Sequence, residues 1–141
     1  MNEYRVYDYL PEEAKHIREE VFMKEQGFED EFDQIDEIAK HLVVFYKGEA
    51  VATARMYQGE KDTEYVIGRV AVLPEYRKLH LGAKMIERLE EEACILGATK
   101  LVLSAQCRVQ PFYERQGFVA VGEVYLDEFC EHIHMEKSLL C

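Results

Sequence analysis

VAVLPEYRKLHLGAK, residues 70–84, carries the chain from an extended pattern into a helical one. Val70, Ala71 and Val72 complete a run that begins at Tyr65, YVIGRVAVL, and contains a single charge. Its apolar, β-branched content predicts a strand covered on both faces. Pro74 lacks the N–H that a ladder needs and stops it. Leu81, Met85, Leu89 and Ala93 then recur every four residues, with Ile86 and Cys94 alongside. That stripe predicts a helix from about Leu79 to Leu96, closed by Gly97. The first N–H groups of such a helix have no partner within it and carry a partial positive charge, so the turn suits a phosphate. Arg77, Lys78, His80 and Lys84 concentrate positive charge there in an otherwise acidic chain.

The pattern extends in both directions. Glu3–Tyr9 is rich in Tyr and Val and reads as a strand. Pro11 can open a helix, since its missing N–H is unused in a first turn. Ala14, Ile17, Val21 and Phe22 then share one face, up to an end near Gly27. Residues 25–37, EQGFEDEFDQIDE, hold seven acids and no base. They read as a solvated loop or short helix, or as an acidic rim that draws in cationic substrates. His41–Tyr46 and Ala50–Tyr57 form a hairpin about Lys47-Gly48-Glu49. Beyond the central helix come a strand over Lys100–Ala105, a short helix over Val109–Gln116 closed by Gly117, and strands over Phe118–Tyr125 and His132–Lys137. The order β-α-β-β-β-α-β-α-β-β mixes hairpins with crossovers. It predicts an α/β fold with a mixed, twisted sheet and helices on both faces. No Pro/Gly/Ser linker interrupts residues 1–141, so one domain is expected.

The chain has 141 residues, 48% of them hydrophobic and 32% charged, with a net charge of −11. This is globular composition. Such an acidic surface repels phosphate backbones and anionic membranes, so neither nucleic acid nor membrane is expected as a partner. No apolar run approaches the roughly 20 residues of a membrane helix, and MNEYRVYDYLPEE has no signal-peptide core. Cys94, Cys107, Cys130 and Cys141 form no CxxC or Cys/His cluster. They read as reduced thiols of a cytoplasmic protein, with no metal site.

A second notable stretch is QCRVQPFYERQGF, residues 106–118. On a short helix after a strand, Phe112 suits the core. Tyr113 needs a partner for its hydroxyl if it is buried.

Together the two stretches resemble the GNAT superfamily, the Gcn5-related N-acetyltransferases. The family's cofactor loop reads Q/R-x-x-G-x-G/A after a strand, and Arg77-Lys78-Leu79-His80-Leu81-Gly82 matches it, with His80 in place of the first glycine. The later N-x-x-A-x-x-F-Y-x-x-x-G-F is matched by 106–118, with Gln106 in place of Asn. IREEVFMKEQGF and DEIAKHLVV look like the small bacterial ElaA-like branch.

This resemblance implies the GNAT acyl-CoA N-acyltransferase fold and direct acetyl transfer from acetyl-CoA, as cosubstrate, to a primary amine of a small molecule, without a metal. It implies that pantetheine pairs with main chain of Val70, Ala71 and Val72. Arg77, Lys78, Leu79, His80, Leu81, Gly82 and Ala83 would surround the pyrophosphate, with Gln106, Phe112 and Tyr113 near the thiol end. An imidazole at position 80 would crowd the approach of the pyrophosphate or add positive charge to it. Tyr113 matches the family's general acid, and the N–H of Val72 is a candidate oxyanion donor.

The residues that accept the amine's proton are less defined. Glu25, His41, His132 and His134 are candidates, with His132 or Glu25 acting through water preferred. Arg55 and Arg69 lie within predicted strands, where an unpaired charge is expensive. With Arg18, they pair with the acidic segment or Glu25, or else anchor a substrate carboxylate or phosphate, while Glu25 and the acidic segment point instead to a cationic acceptor. The alternatives are a non-catalytic acyl-CoA sensor, a protein or peptide acetyltransferase, and an interaction protein that uses residues 25–37. The family also suggests a homodimer through the C-terminal strands, at residues 129–139.

Overall fold

The computed structural model describes residues 2–141. Its first strand, β1, is Asn2–Tyr7. Pro11 is extended (φ −77°, ψ 155°) and forms the N-cap of α1, Glu12–Arg18. The single helix expected up to Gly27 is in fact two pieces, because α1 passes into a π-helical turn, Glu19–Glu25. There the Gln26 N–H donates to the Val21 carbonyl, five residues back, at 3.1 Å. Ala14, Ile17, Val21 and Phe22 are all buried, as their spacing requires. Periodicity sees only that stripe, so it cannot show the local widening. Such π turns are rare and gather at functional sites.

β2, Lys40–Tyr46, and β3, Glu49–Gln58, form the expected antiparallel hairpin. Lys47 (φ 52°) and Gly48 (φ 85°) are both left-handed, as a two-residue type I′ connection demands. β4, Glu64–Val72, is followed by a 3-10 turn over Pro74–Leu79 and by α2, Leu81–Ile95. Gly97 ends α2 in a Schellman arrangement, with Ala98 N–H donating to the Ala93 carbonyl at 2.9 Å and Gly97 N–H to that of Cys94 at 3.0 Å. β5 (Lys100–Gln106), a 3-10 turn (Cys107–Val109), α3 (Gln110–Arg115), β6 (Val119–Asp127) and β7 (Cys130–Ser138) complete the chain. Gly117, at φ 96°, ends α3, and a Cβ there would meet Lys137 Cε at 3.0 Å.

The strands form one mixed seven-stranded sheet in the order β1-β2-β3-β4-β5-β7-β6. β7 pairs antiparallel with β5 on one side and β6 on the other. The stretch 129–139, suggested above as a dimer contact, is therefore mostly an interior strand. The edges of the sheet are β1 and β6, and the last strand in sequence, β7, is not one of them.

The chain divides into two compact units, one running up to Tyr57 and including Ile67–Leu89, the other comprising Gln58–Val66 and Glu90–Cys141. In the first, His41–Val44 and Val51–Met56 are buried without alternation, as in strands covered on both faces. In the second, Leu101, Leu103, Ala105, Phe118, Ile133 and Met135 are buried together with Tyr113.

One cysteine expectation is corrected. Cys94 and Cys141 form a disulfide across 47 residues, with Cα atoms 5.5 Å apart, while Cys107 and Cys130 are free. The bond between Leu139 N–H and the Thr99 carbonyl, at 2.9 Å, draws the last residues alongside the end of α2. No spacing rule in the sequence reveals that approach.

Candidate active site

In the first unit the phosphate-type turn is present. Leu73 is extended, Pro74–Leu79 winds as a 3-10 turn, and His80 is left-handed (φ 57°, ψ 33°) before α2 begins. His80 thus adopts the conformation that suits the glycine it replaces, and the residue is exposed. The amides opening α2, from Leu81 to Ala83, lie beyond it. They lack acceptors within their helix, and exposed Lys78 and Lys84 flank them. The donor set therefore fits a diphosphate. Arg77, also assigned to this loop, makes a bidentate pair with Glu25 (Nη1–Oε2 2.8 Å, Nη2–Oε1 2.6 Å) and donates through Nε to the Val72 carbonyl at 3.0 Å. Glu25 also lines a cavity of about 390 Å³ together with His16, Glu20, Lys24, Leu73, Pro74 and Glu75.

Three acids of the segment, Glu31, Asp33 and Asp36, pair with the arginines. Arg18, 1% exposed, donates to Glu31 Oε1 at 2.9 Å and to Asp36 Oδ1 at 2.7 Å. Arg55 donates to Asp33 Oδ1 at 2.7 Å and to Asp36 Oδ1 at 2.9 Å. Arg69 reaches Glu31 Oε1 at 3.0 Å. Burial alone would raise the Asp36 carboxyl, but hydrogen bonds and charge from Arg18 and Arg55 hold it at about 2. For Glu31 burial wins over its arginine neighbours, and its carboxyl is raised. Asp36 also accepts the Asp33 N–H, at 3.1 Å, and so opens the 3-10 turn Gln34–Glu37. Glu31 and Asp36 are thus buried in an ion-pair network with Asp33 at its exposed edge, while Glu25, Glu29, Asp30 and Glu37 remain exposed. Arg55 and Arg69, the candidate substrate anchors, spend their guanidinium contacts on that network.

Arg69 is itself left-handed (φ 52°) within β4, a conformation that costs an L-residue about 1–2 kcal/mol. His41, one of the candidate bases, is fully buried. Its Nε2 bonds the Asp36 carbonyl at 2.9 Å, and burial lowers its pKa. It belongs to the same interior network.

In the second unit Tyr113 is 8% exposed. Phe112 and Phe118 stand edge-on to its ring, with centroids 5.0 and 6.0 Å away. Of the Phe112–Tyr113 pair the tyrosine is the more buried, and burial raises its phenol well above the usual range. Tyr113 is therefore protonated and suited to donate. The β5–β7 register sets Gln106 opposite His132, and the β6–β7 register sets Tyr125 on its other side. His132 is buried; its Nδ1 bonds the Cys130 carbonyl at 3.0 Å, and its ring stacks on Tyr125, 6.1 Å between centroids. Donation by Nδ1 leaves the lone pair on Nε2. Tyr125 also bonds Ser104 through its hydroxyl. Neither residue stood out in the sequence, because strand register alone brings Tyr125 to His132. His134 is half-exposed and bonds Glu136. Among the described residues, no helix is long and apolar enough to cross a membrane.

The fold and these motifs define an acyltransferase of the GNAT type. Residues 6–139 match the family described as Acetyltransferase (GNAT) domain, and the chain belongs to that family. Over 129 residues it is 34% identical to Uncharacterized N-acetyltransferase YjcF of Bacillus subtilis (strain 168), covering 89% of this chain and 91% of that protein. It is 32% identical to Protein ElaA of Escherichia coli (strain K12) over 129 residues, 88% of this chain and 84% of that protein. The crystal structure of ElaA superimposes with a TM-score of 0.86 over 97% of this chain and 99% of that one, at 28% identity. An acyl-CoA N-acyltransferase from Pseudomonas aeruginosa gives a TM-score of 0.85 at 30% identity, with 97% and 99% covered. The chain is a GNAT N-acetyltransferase.

Proposed function

We propose that this enzyme transfers the acetyl group of acetyl-CoA to a primary amine of a small molecule, working as a single catalytic domain. The turn before α2 carries this reading: helix-start amides, a left-handed and exposed His80, and two exposed lysines. The main chain from Lys78 to Ala83 binds the pyrophosphate, and that of Val70–Val72 lies along the pantetheine arm. Bound acetyl-CoA supplies an already activated thioester, and the protein supplies position and protons. Tyr113 donates a proton to the departing thiolate. Its burial supports that role, since the phenol keeps its proton through the neutral and alkaline range. His132 accepts the proton of the amine through Nε2. It is preferred over Glu25, whose carboxylate is held by Arg77. Because Arg55 and Arg69 pair with Glu31, Asp33 and Asp36, they do not support an anionic acceptor.

Calorimetry with acetyl-CoA and release of free thiol across a panel of amines test this reading. Saturable binding with turnover on small amines is expected; no heat with acetyl-CoA would overturn it. Tyr113→Phe should lower kcat about 100-fold while acetyl-CoA affinity stays within threefold. An unchanged kcat removes Tyr113 from the chemistry. The rate profile should show no fall from loss of the Tyr113 proton below about pH 10.

A further inference from the structure

Four non-glycine residues have positive φ among the described residues. Lys47, His80 and Glu128 lie in connections, and Arg69 alone lies inside a strand. A strained backbone of this kind persists only where its surroundings over-determine it. Here the side chain does so. Arg69 Nε donates to the Glu31 carbonyl at 3.1 Å and lies 3.0 Å from Glu31 Oε1, and its Nη2 reaches Asp33 Oδ2 at 3.4 Å. These partners are themselves fixed. Arg18 holds Glu31 through its carboxylate (2.9 Å) and its carbonyl (3.0 Å), and Arg55 holds Asp33 at 2.7 Å. Beyond the kink, Glu25 grips Arg77, which in turn holds the Val72 carbonyl. Val70, Ala71 and Val72 are thus tied at both ends to one acid-rich segment.

We propose that residues 25–36 brace this part of β4, and that Arg69, gripped by Glu31 and Asp33, is a positioning residue that holds the left-handed kink and so aims the main chain of Val70–Val72 at the cosubstrate. The role of those three residues rests on the acetyl-CoA reading above; the brace itself can be measured without any ligand. A merely structural ion pair would lower stability evenly. A brace acts locally.

The test is amide hydrogen exchange in the free protein, paired with calorimetry. Arg69→Gly keeps the left-handed conformation accessible but removes the guanidinium. Exchange at residues 70–72 should accelerate about tenfold, the scale of one charge-assisted hydrogen bond, while β2 and β3 exchange as in the wild type. Acetyl-CoA should bind about tenfold more weakly, and Arg69→Lys, which keeps the charge but loses the fork, should fall between. Wild-type exchange at 70–72, or acceleration spread evenly over β2 and β3, overturns the proposal. If the wild type binds no acetyl-CoA, the functional reading fails, yet the exchange data still decide the brace. If Arg69→Gly does not fold, Asp33→Asn in the same experiment should speed exchange at 70–72 about threefold, and no change there overturns it.

Discussion

Arg18, Glu31, Asp36, His41, Thr53 and Arg55 are buried in the first compact unit, whereas among the described residues of the second only His132 is a buried polar or charged side chain. The second unit instead leaves Val119, Val121, Val124, Leu126 and Phe129 at least 46% exposed on β6 and the turn after it, and it carries the Cys94–Cys141 disulfide. One unit holds charges inside and the other holds apolar groups outside. Average composition describes neither. A buried ion pair adds little stability over an apolar replacement, but losing one partner strands the other. The first unit should therefore be vulnerable to single charge deletions and to acid, and the second to loss of its covalent link.

Asp36→Asn gives the sharpest contrast. It weakens the contacts of Arg18 and Arg55 at once, and a loss of about 3–5 kcal/mol is expected from the urea midpoint. A loss under about 1 kcal/mol would mean that the network is solvated and the contrast unfounded. Replacing Cys94 and Cys141 by serine should cost about 3 kcal/mol, through the freedom returned to the unfolded chain. Hydrogen exchange should then quicken around Lys100–Gln106 and Cys130–Ser138 before it does in β2. The reverse order would contradict the division.

Acid should act on the first unit. The carboxyl of Asp36 is depressed in the folded state to about 2, so its stabilisation is present above the unfolded value near 3.8 and fades as pH falls towards 2, about 2 kcal/mol in all. His41 has a lowered pKa, so the unfolded chain takes up its proton first, and stability begins to fall below about pH 6.5. His41→Asn should flatten the upper part of a plot of Tm against pH and leave the lower part. An unchanged slope would mean that His41 is protonated in the native protein. The smallest effect expected is for His80→Gly. Relief of left-handed strain and the added entropy of glycine nearly offset, leaving less than about 1 kcal/mol. Arg69 and His80 share a backbone conformation, but only Arg69 has a gripped side chain, so only its replacement should alter exchange at its neighbours.

The order of helices and strands was legible because it rests on local rules. Leu81, Met85 and Leu89 lie on one helical face, Lys47-Gly48 supports only a tight hairpin, and Gly97 and Gly117 close their helices as their positions suggest. The strand–turn–helix order at 70–83 was legible for the same reason, and it places the main chain of the candidate site. The site was not legible where it depends on which side chains meet. The arginines at 55 and 69 could be read as partners of the acidic segment or as substrate anchors, and only the packed structure shows them paired with Glu31, Asp33 and Asp36. Tyr125 meets His132 only through strand register.

Taken alone, then, the amino-acid sequence determined the mixed α/β architecture, the GNAT resemblance, and the turn and tyrosine that carry it, because periodicity, caps and short motifs are properties of neighbours along the chain. Tertiary structure decided that Glu31 and Asp36 turn inward while the other acids of the segment stay exposed, that His41 is part of the interior, that Cys94 meets Cys141, and that β7 lies between β5 and β6 inside the sheet. Each of these depends on groups far apart in sequence whose approach is set by packing the whole unit, and no local pattern carries that information.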